Sequence, residues 1–259
     1  MIRKLLHIII IVCLTAQSFQ ALGLGRLDDD HVAFGSAQTL AILLNQGTNA
    51  IESHERFDAI LSHLRDKRSQ YDSDQQYLHY IYRYVHRKGL KTYKTYVTLD
   101  QTLSKSGYYD CLTGTLLYGL LLQELGYEFI VREFRYHVLL IVKLDSGEIM
   151  FEATDPLNGF VVGKPAIDHR IAEFVESDKQ KIRKSIYNVS PEIDNLISLE
   201  QLTGLHFYNQ AIYFLNHNDL AQAKSKIRKA LALYPSERVS AITRIIYGNE
   251  IKTMLAAND

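Results

Sequence analysis

The chain has 259 residues, 47% hydrophobic and 22% charged, which suffices to bury the core of one large domain or two small ones. Its 29 basic and 29 acidic residues cancel, so no basic surface is implied and nucleic acid is excluded as an expected partner.

Met1-Ile2-Arg3-Lys4 is a positive start, and Leu5 to Ala16 is an apolar stretch of signal-peptide length. Ala16, Ser18 and Ala21 offer cleavage sites, so residues 1–21 read as a signal peptide and the mature protein as exported, periplasmic or secreted. The run is too short to span a bilayer comfortably, and no stable membrane insertion is expected after signal removal. A retained anchor or an N-terminal core helix is the alternative. Cys13 follows Val12 rather than a small residue, which argues against lipid modification. Signal removal leaves Cys111 as the single cysteine. A structural cysteine in an oxidising compartment normally has a partner, so Cys111 is either a buried inert thiol or a functional group.

Residues 22–35, with Gly23, Gly25, Asp28-Asp29-Asp30 and Gly35, read as a linker. The acidic triplet lacks the spaced oxygen ligands of a calcium loop. Helical periodicity starts at Ser36, resumes at Ile51 and appears a third time from Ser73, where Gln76 completes a capping-box pair and Gly89 supplies the stop. A helix opening at Cys111, after Gly107-Tyr108-Tyr109-Asp110, carries leucine on nearly every side and ends at Gly126. Apolar all round implies buried all round, so it is expected to be the central helix, with its N-terminus at the floor of a cleft.

Strand-forming residues follow at 129–131, 136–144, 148–154 and 159–162. Antiparallel strands after a buried helix give an α+β fold, with a helical lead-in and core over residues 36–165. A three-residue loop Asp145-Ser146-Gly147 would pair Leu144 with Glu148. That register sets His137 opposite Asp155, on the side of Leu139, Ile141, Phe151 and Ala153, facing the central helix; a two-residue turn would shift it by one, put the two on opposite faces and leave Glu152 or another acid to be considered. From residue 166 onward the chain reads as helical. Residues 204–237 fit one tetratricopeptide-like unit, with Phe207, Ala211 and Phe214 on one helix, Ala223, Ile227 and Ala230 on the next, and Pro235 closing it. A single repeat must dock on flanking helices and the preceding core.

A thiol at a helix N-terminus, a histidine and a carboxylate are the parts of a cysteine-based acyl-transfer site. The helix dipole and an imidazolium both favour a thiolate at Cys111, Asp155 would orient His137, and the main-chain N–H of Cys111 would donate to an oxyanion. The second oxyanion donor is left among Tyr108, Tyr109 and Gln101. Taken singly, His137 also fits a packed strand histidine and Asp155-Pro156 a strand-end turn. No metal site is expected, because there is no His-Glu-x-x-His and no second mature cysteine. His79 and His86, two turns apart, read as a surface arrangement. No phosphate loop is present and no cofactor is called for.

These residues resemble the transglutaminase-like (papain-type) superfamily. Asp110-Cys111-Leu112-Thr113-Gly114 and the helix ending Glu124-Leu125-Gly126-Tyr127 are similar to its nucleophile block. Tyr136-His137-Val138 and Glu152-Ala153-Thr154-Asp155-Pro156-Leu157-Asn158-Gly159-Phe160 are similar to its histidine and aspartate blocks. The likeness is to the bacterial branch in which this core precedes tetratricopeptide repeats. It implies a Cys111–His137–Asp155 triad, an acyl-enzyme mechanism and a peptide or protein substrate. No aromatic residue follows His137 directly, unlike in animal transglutaminases, which counts against protein cross-linking. The resulting expectation is an exported cysteine peptidase, amidase or acyltransferase. The competing one is a catalytically silent scaffold that binds a protein partner through its C-terminal helices, with Lys224, Lys226, Arg228 and Lys229 favouring an acidic partner.

Overall fold

The computed structural model describes residues 36–44, 50–184 and 193–256. The expected signal peptide, the linker and Cys13 lie outside them. Three helices lead in: α1 (Ser36–Leu44), α2 (Ala50–Lys67) and α3 (Asp74–Lys88). Ser73 caps α3 by accepting from the Gln76 N–H, and Gly89 closes it through a bond to the Val85 carbonyl. Beyond it come β1 (Thr92–Tyr93), the short α4 (Leu99–Leu103) and β2 (Tyr108–Tyr109), where β1 and β2 pair in parallel.

Helix α5 (Cys111–Glu124) is buried along its length: Leu112, Leu116, Leu117, Leu120, Leu121 and Leu122 are all in the core, as the all-round apolar pattern requires. Its N-cap is Asp110, whose carboxylate accepts from Thr113 N–H, while the Thr113 hydroxyl receives the Asp110 N–H. Gly114 marks a close approach: a Cβ there would stand 2.6 Å from that of Ala153. The first turn of α5 therefore lies against the chain just beyond the strand hairpin.

Strands β3 (Phe129–Phe134), β4 (Val138–Leu144), β5 (Gly147–Phe151) and β6 (Phe160–Val162) are joined by β7 (Asp194–Ile197) in one antiparallel sheet of order β6-β5-β4-β3-β7. Strand β7 comes from the region expected to be purely helical, and it ties that region to the core. Helix α6 (Lys164–Lys184) precedes it; α7 (Leu199–Asn216), α8 (Leu220–Leu233) and α9 (Glu237–Ala256) follow. From Gly35 onward the chain is one unit, with the C-terminal helices inside it. Phe207, Ala211, Ala223, Ile227 and Ala230 are buried between α7 and α8, and Asn218 turns with φ 59° before Asp219 caps α8. Lys226 and Lys229, expected on a basic outer face, hold their ammonium groups 5.9 and 5.4 Å from the Phe207 ring.

The hairpin register differs from the expected one. Leu144 pairs with Gly147, and Leu140 with Phe151, across a two-residue turn at Asp145-Ser146. The whole pairing is shifted by one residue. Val138, Leu140, Val142, Ile149 and Phe151 face α5, whereas Leu139, Ile141 and Met150 pack with Ile167 and Ile171 of α6. Both faces of the sheet are buried, so alternation of apolar residues does not specify the register, and the turn decides it.

Tyrosines do the work of large aromatics in a chain without tryptophan. Tyr77, Tyr82 and Tyr118 are fully buried, and each hydroxyl donates to a main-chain carbonyl: Tyr77 to Leu64, Tyr118 to Tyr82, and Tyr82 to both Glu152 and Asp155. The last pair clamps the loop after β5. A side chain at Gly159 would collide with that hydroxyl and with the Glu152 carbonyl.

Candidate active site

Cys111 is half-buried at the start of α5 and lines a cleft of about 480 Å³ with His137, Tyr93, Tyr96, Tyr136 and Tyr208. The Asp110 cap consumes the Thr113 N–H, and the N–H of Cys111 has no acceptor among the described residues. Burial pushes the Asp110 carboxyl up from its ordinary value, against the pull of bonds from Thr113, Val97 and Leu112.

His137 stands immediately before β4, and its main-chain carbonyl accepts from Phe134 N–H. Its ring stacks on Phe174 of α6, centroids 4.5 Å apart and planes within 13°. The Nε2–H donates to Glu152 Oε1 at 3.0 Å. The Cys111 side chain lines the same cleft and acts on the ring, and with Nε2 engaged Nδ1 is the nitrogen left for sulfur. Burial alone would favour neutral imidazole. The bonds to Cys111 and Glu152, and the charges on both, overcome it and raise His137 from 6.5 to about 9.

Glu152 is 2% exposed. Besides His137, its Oε1 accepts from the Thr154 N–H at 2.8 Å and the Thr154 hydroxyl at 2.6 Å. Burial opposes the carboxylate, but the bond and charge of His137, with those from Thr154, hold it below its ordinary value. The pairing follows from the one-residue shift. Continued past the strand ends, the observed register sets Leu139 opposite Glu152 and leaves Glu152 as the diagonal neighbour of His137 on the same face.

Asp155, expected to orient His137, is engaged elsewhere. Its Oδ1 accepts from the N–H groups of Leu157 and Asn158, and its Oδ2 receives Arg170 Nη2 at 2.9 Å. It builds the turn after β5 and ties that turn to α6. Arg170 also lies over the Phe174 ring, at 5.4 Å from its centroid. Asp155 thus braces the element that stacks on His137, while Glu152 holds the ring.

Of the three expected second donors, Gln101 is committed to a helix cap. Gln101 is exposed, and its side-chain carbonyl accepts from Thr98 N–H in the cap of α4. The Thr98-Leu99-Asp100-Gln101 string is itself a capping-box signature, so this role was legible in the sequence. Tyr109 is buried, with its ring edge-on to His86 at 6.3 Å. Tyr108 is half-buried, and Lys94 Nζ lies 5.0 Å from its ring centroid.

The C-terminal helices form the opposite wall of the cleft through Leu205, Tyr208 and Ile212 of α7 and Arg238 of α9. Arg238 is anchored from below: its Nη1 lies 2.5 Å from Oε1 of the fully buried Glu133, which also receives the hydroxyl of Tyr234 and the amide of Asn195. This network fastens β3, β7 and α9 together.

His86, read as a surface residue, is 8% exposed, and burial lowers it from 6.5 to about 4. Among the described residues no group of His, Cys, Asp or Glu is arranged to hold a metal, and no helix is long and apolar enough to cross a membrane. No family model matches the chain, and no curated protein or solved structure shows significant similarity to it.

Proposed function

We propose that the chain is a cysteine hydrolase or acyltransferase of the transglutaminase-like type, exported by its N-terminal signal and acting on peptide or isopeptide bonds through Cys111, His137 and Glu152. The observation that carries this reading is His137 in one cleft with the Cys111 thiol, its Nε2–H bonded to the buried Glu152 carboxylate. A histidine with a raised pKa beside a cysteine, oriented by a carboxylate, has the arrangement of a base for the thiol.

In this mechanism the Cys111 thiolate attacks the carbonyl carbon of the scissile amide, and the carbonyl electron pair moves to oxygen. The Cys111 N–H donates to that oxyanion at the positive end of α5. The intermediate collapses to a thioester as His137 gives its proton to the departing amine. Neutral His137 then takes a proton from water, or from an acceptor amine, which attacks the thioester and restores the thiolate. Glu152 fixes the ring orientation and stabilises the imidazolium without itself taking the proton. The C-terminal helices line the cleft, which supports a role in holding substrate more than a separate docking role.

An electrophilic thiol probe tests the proposal. Wild type should label rapidly at pH 7, Cys111→Ala not at all, and His137→Ala at a rate at least tenfold lower. Equal labelling of wild type and His137→Ala would refute an activated thiolate.

A further inference from the structure

The tetrahedral intermediate proposed at Cys111 needs more than one donor to hold its oxygen, and the main-chain N–H of Cys111 supplies only one. Tyr93 presents another. The parallel register of β1 and β2 places Tyr93 beside Tyr109, two residues before the nucleophile. Its ring stands edge-to-face on Tyr109, centroids 5.9 Å apart and planes at 85°. Tyr109 is itself packed in the core, so Tyr93 rests on a fixed support, yet it is 55% exposed and lines the cleft with Cys111 and His137. Its hydroxyl has no hydrogen-bond partner among the described residues.

We propose that the Tyr93 hydroxyl is the second oxyanion donor, acting with the Cys111 N–H on the tetrahedral intermediate. The assignment rests on the proposed Cys111 chemistry and adds a catalytic residue to it. A donor must keep its proton in the presence of the nucleophile, and Tyr93 does: burial first, then the negative charges of Cys111 and Asp110, raise its phenol above the ordinary value of 10.0. Tyr93 makes no covalent bond and transfers no proton; it stabilises charge that exists only between attack and collapse.

Two reactions of the same sulfur separate this role from any other. Acylation by p-nitrophenyl acetate passes through a tetrahedral oxyanion: the thiolate adds to the carbonyl carbon, and collapse expels p-nitrophenolate. Alkylation by iodoacetamide displaces iodide directly and forms no oxyanion. In Tyr93→Phe, which keeps the ring on Tyr109, the acylation rate should fall about a hundredfold, with KM nearly unchanged and the alkylation rate equal to wild type. Wild-type acylation in Tyr93→Phe would overturn the assignment while leaving the Cys111 reading intact. A parallel fall in both rates would also overturn it, since Tyr93 would then act on thiol reactivity. If wild type reacts with neither reagent faster than Cys111→Ala does, the Cys111 reading fails and the assignment falls with it.

Discussion

Two histidines in different regions of this protein, one half-buried and one buried, have opposite chemistry. His137, at the cleft between sheet and α5, is raised to about 9, whereas His206, inside the α7–α8 hairpin, is lowered to about 3. Burial disfavours the imidazolium in both. Among the described residues no acid acts on His206: its Nε2 meets the Gln210 amide at 2.6 Å, and the Lys226 charge adds to the effect of burial. His137 sits between Cys111 and Glu152, both able to carry negative charge. Partners, not depth, decide the protonation state. The first arrangement fills a core; the second has the electrostatics of a reactive site.

The strongest way to break this contrast is to remove each ring. His137→Ala should lower turnover on the order of 10⁴-fold or more, since the site loses its base and its acid together. His206→Ala should leave turnover within about threefold but cost roughly 2–3 kcal/mol of stability in urea denaturation, through a cavity and an unpaired Gln210. Reversed effects would mean that the two roles have been assigned the wrong way round.

The two neighbouring acids offer the next test. Glu152→Gln should reduce kcat on the order of a thousandfold, because the amide cannot stabilise the imidazolium. It should also lower the His137 pKa. Asp155→Asn should stay within about tenfold in kcat and cost ~1 kcal/mol of stability, through the weakened, partly exposed Arg170 pair. A larger kcat loss in Asp155→Asn would restore the acid that the sequence favoured.

That choice shows what the sequence holds and where it stops. Cys111 at the head of a buried helix is legible from Asp110, the leucine run and Gly126, and His137 from the strand it precedes. Glu152 is legible only as the acid to consider on a shifted register, because the apolar residues on both faces of β4 and β5 leave that register to a turn, and Gly147 permits either loop length. At φ 131° it adopts a conformation that side chains rarely take, and it opens β5 instead of closing the loop. Strand β7 is hidden for another reason: Asp194-Asn195-Leu196-Ile197 is short and half polar, and it becomes a strand only by pairing with β3. Tyr93 lies on a two-residue strand that local pattern cannot reveal.

Stability against pH extends the contrast, and the two kinds of histidine should act in opposite directions. His206 and His86 have folded values below the unfolded 6.5, so the unfolded chain binds more protons as pH falls below about 6.5. Their contribution is complete above that pH and is lost on acidification, on the order of 2–3 kcal/mol each by pH 4. His137 has a folded value above the unfolded one, so its contribution is complete below pH 6.5 and is lost as pH rises through about 9. Urea midpoints across pH 4–10 should show the acid loss shrink in His206→Leu and the alkaline loss vanish in His137→Ala.

The most direct test of the central claim is the protonation state of His137, read by NMR titration of its ring nitrogens with the Cys111→Ala variant alongside. The account predicts an imidazolium at pH 7 that titrates near 9 in the wild type, and a clear downward shift once the sulfur is gone. A His137 ring that is neutral at pH 7 and unchanged in Cys111→Ala would contradict the thiolate–imidazolium pair.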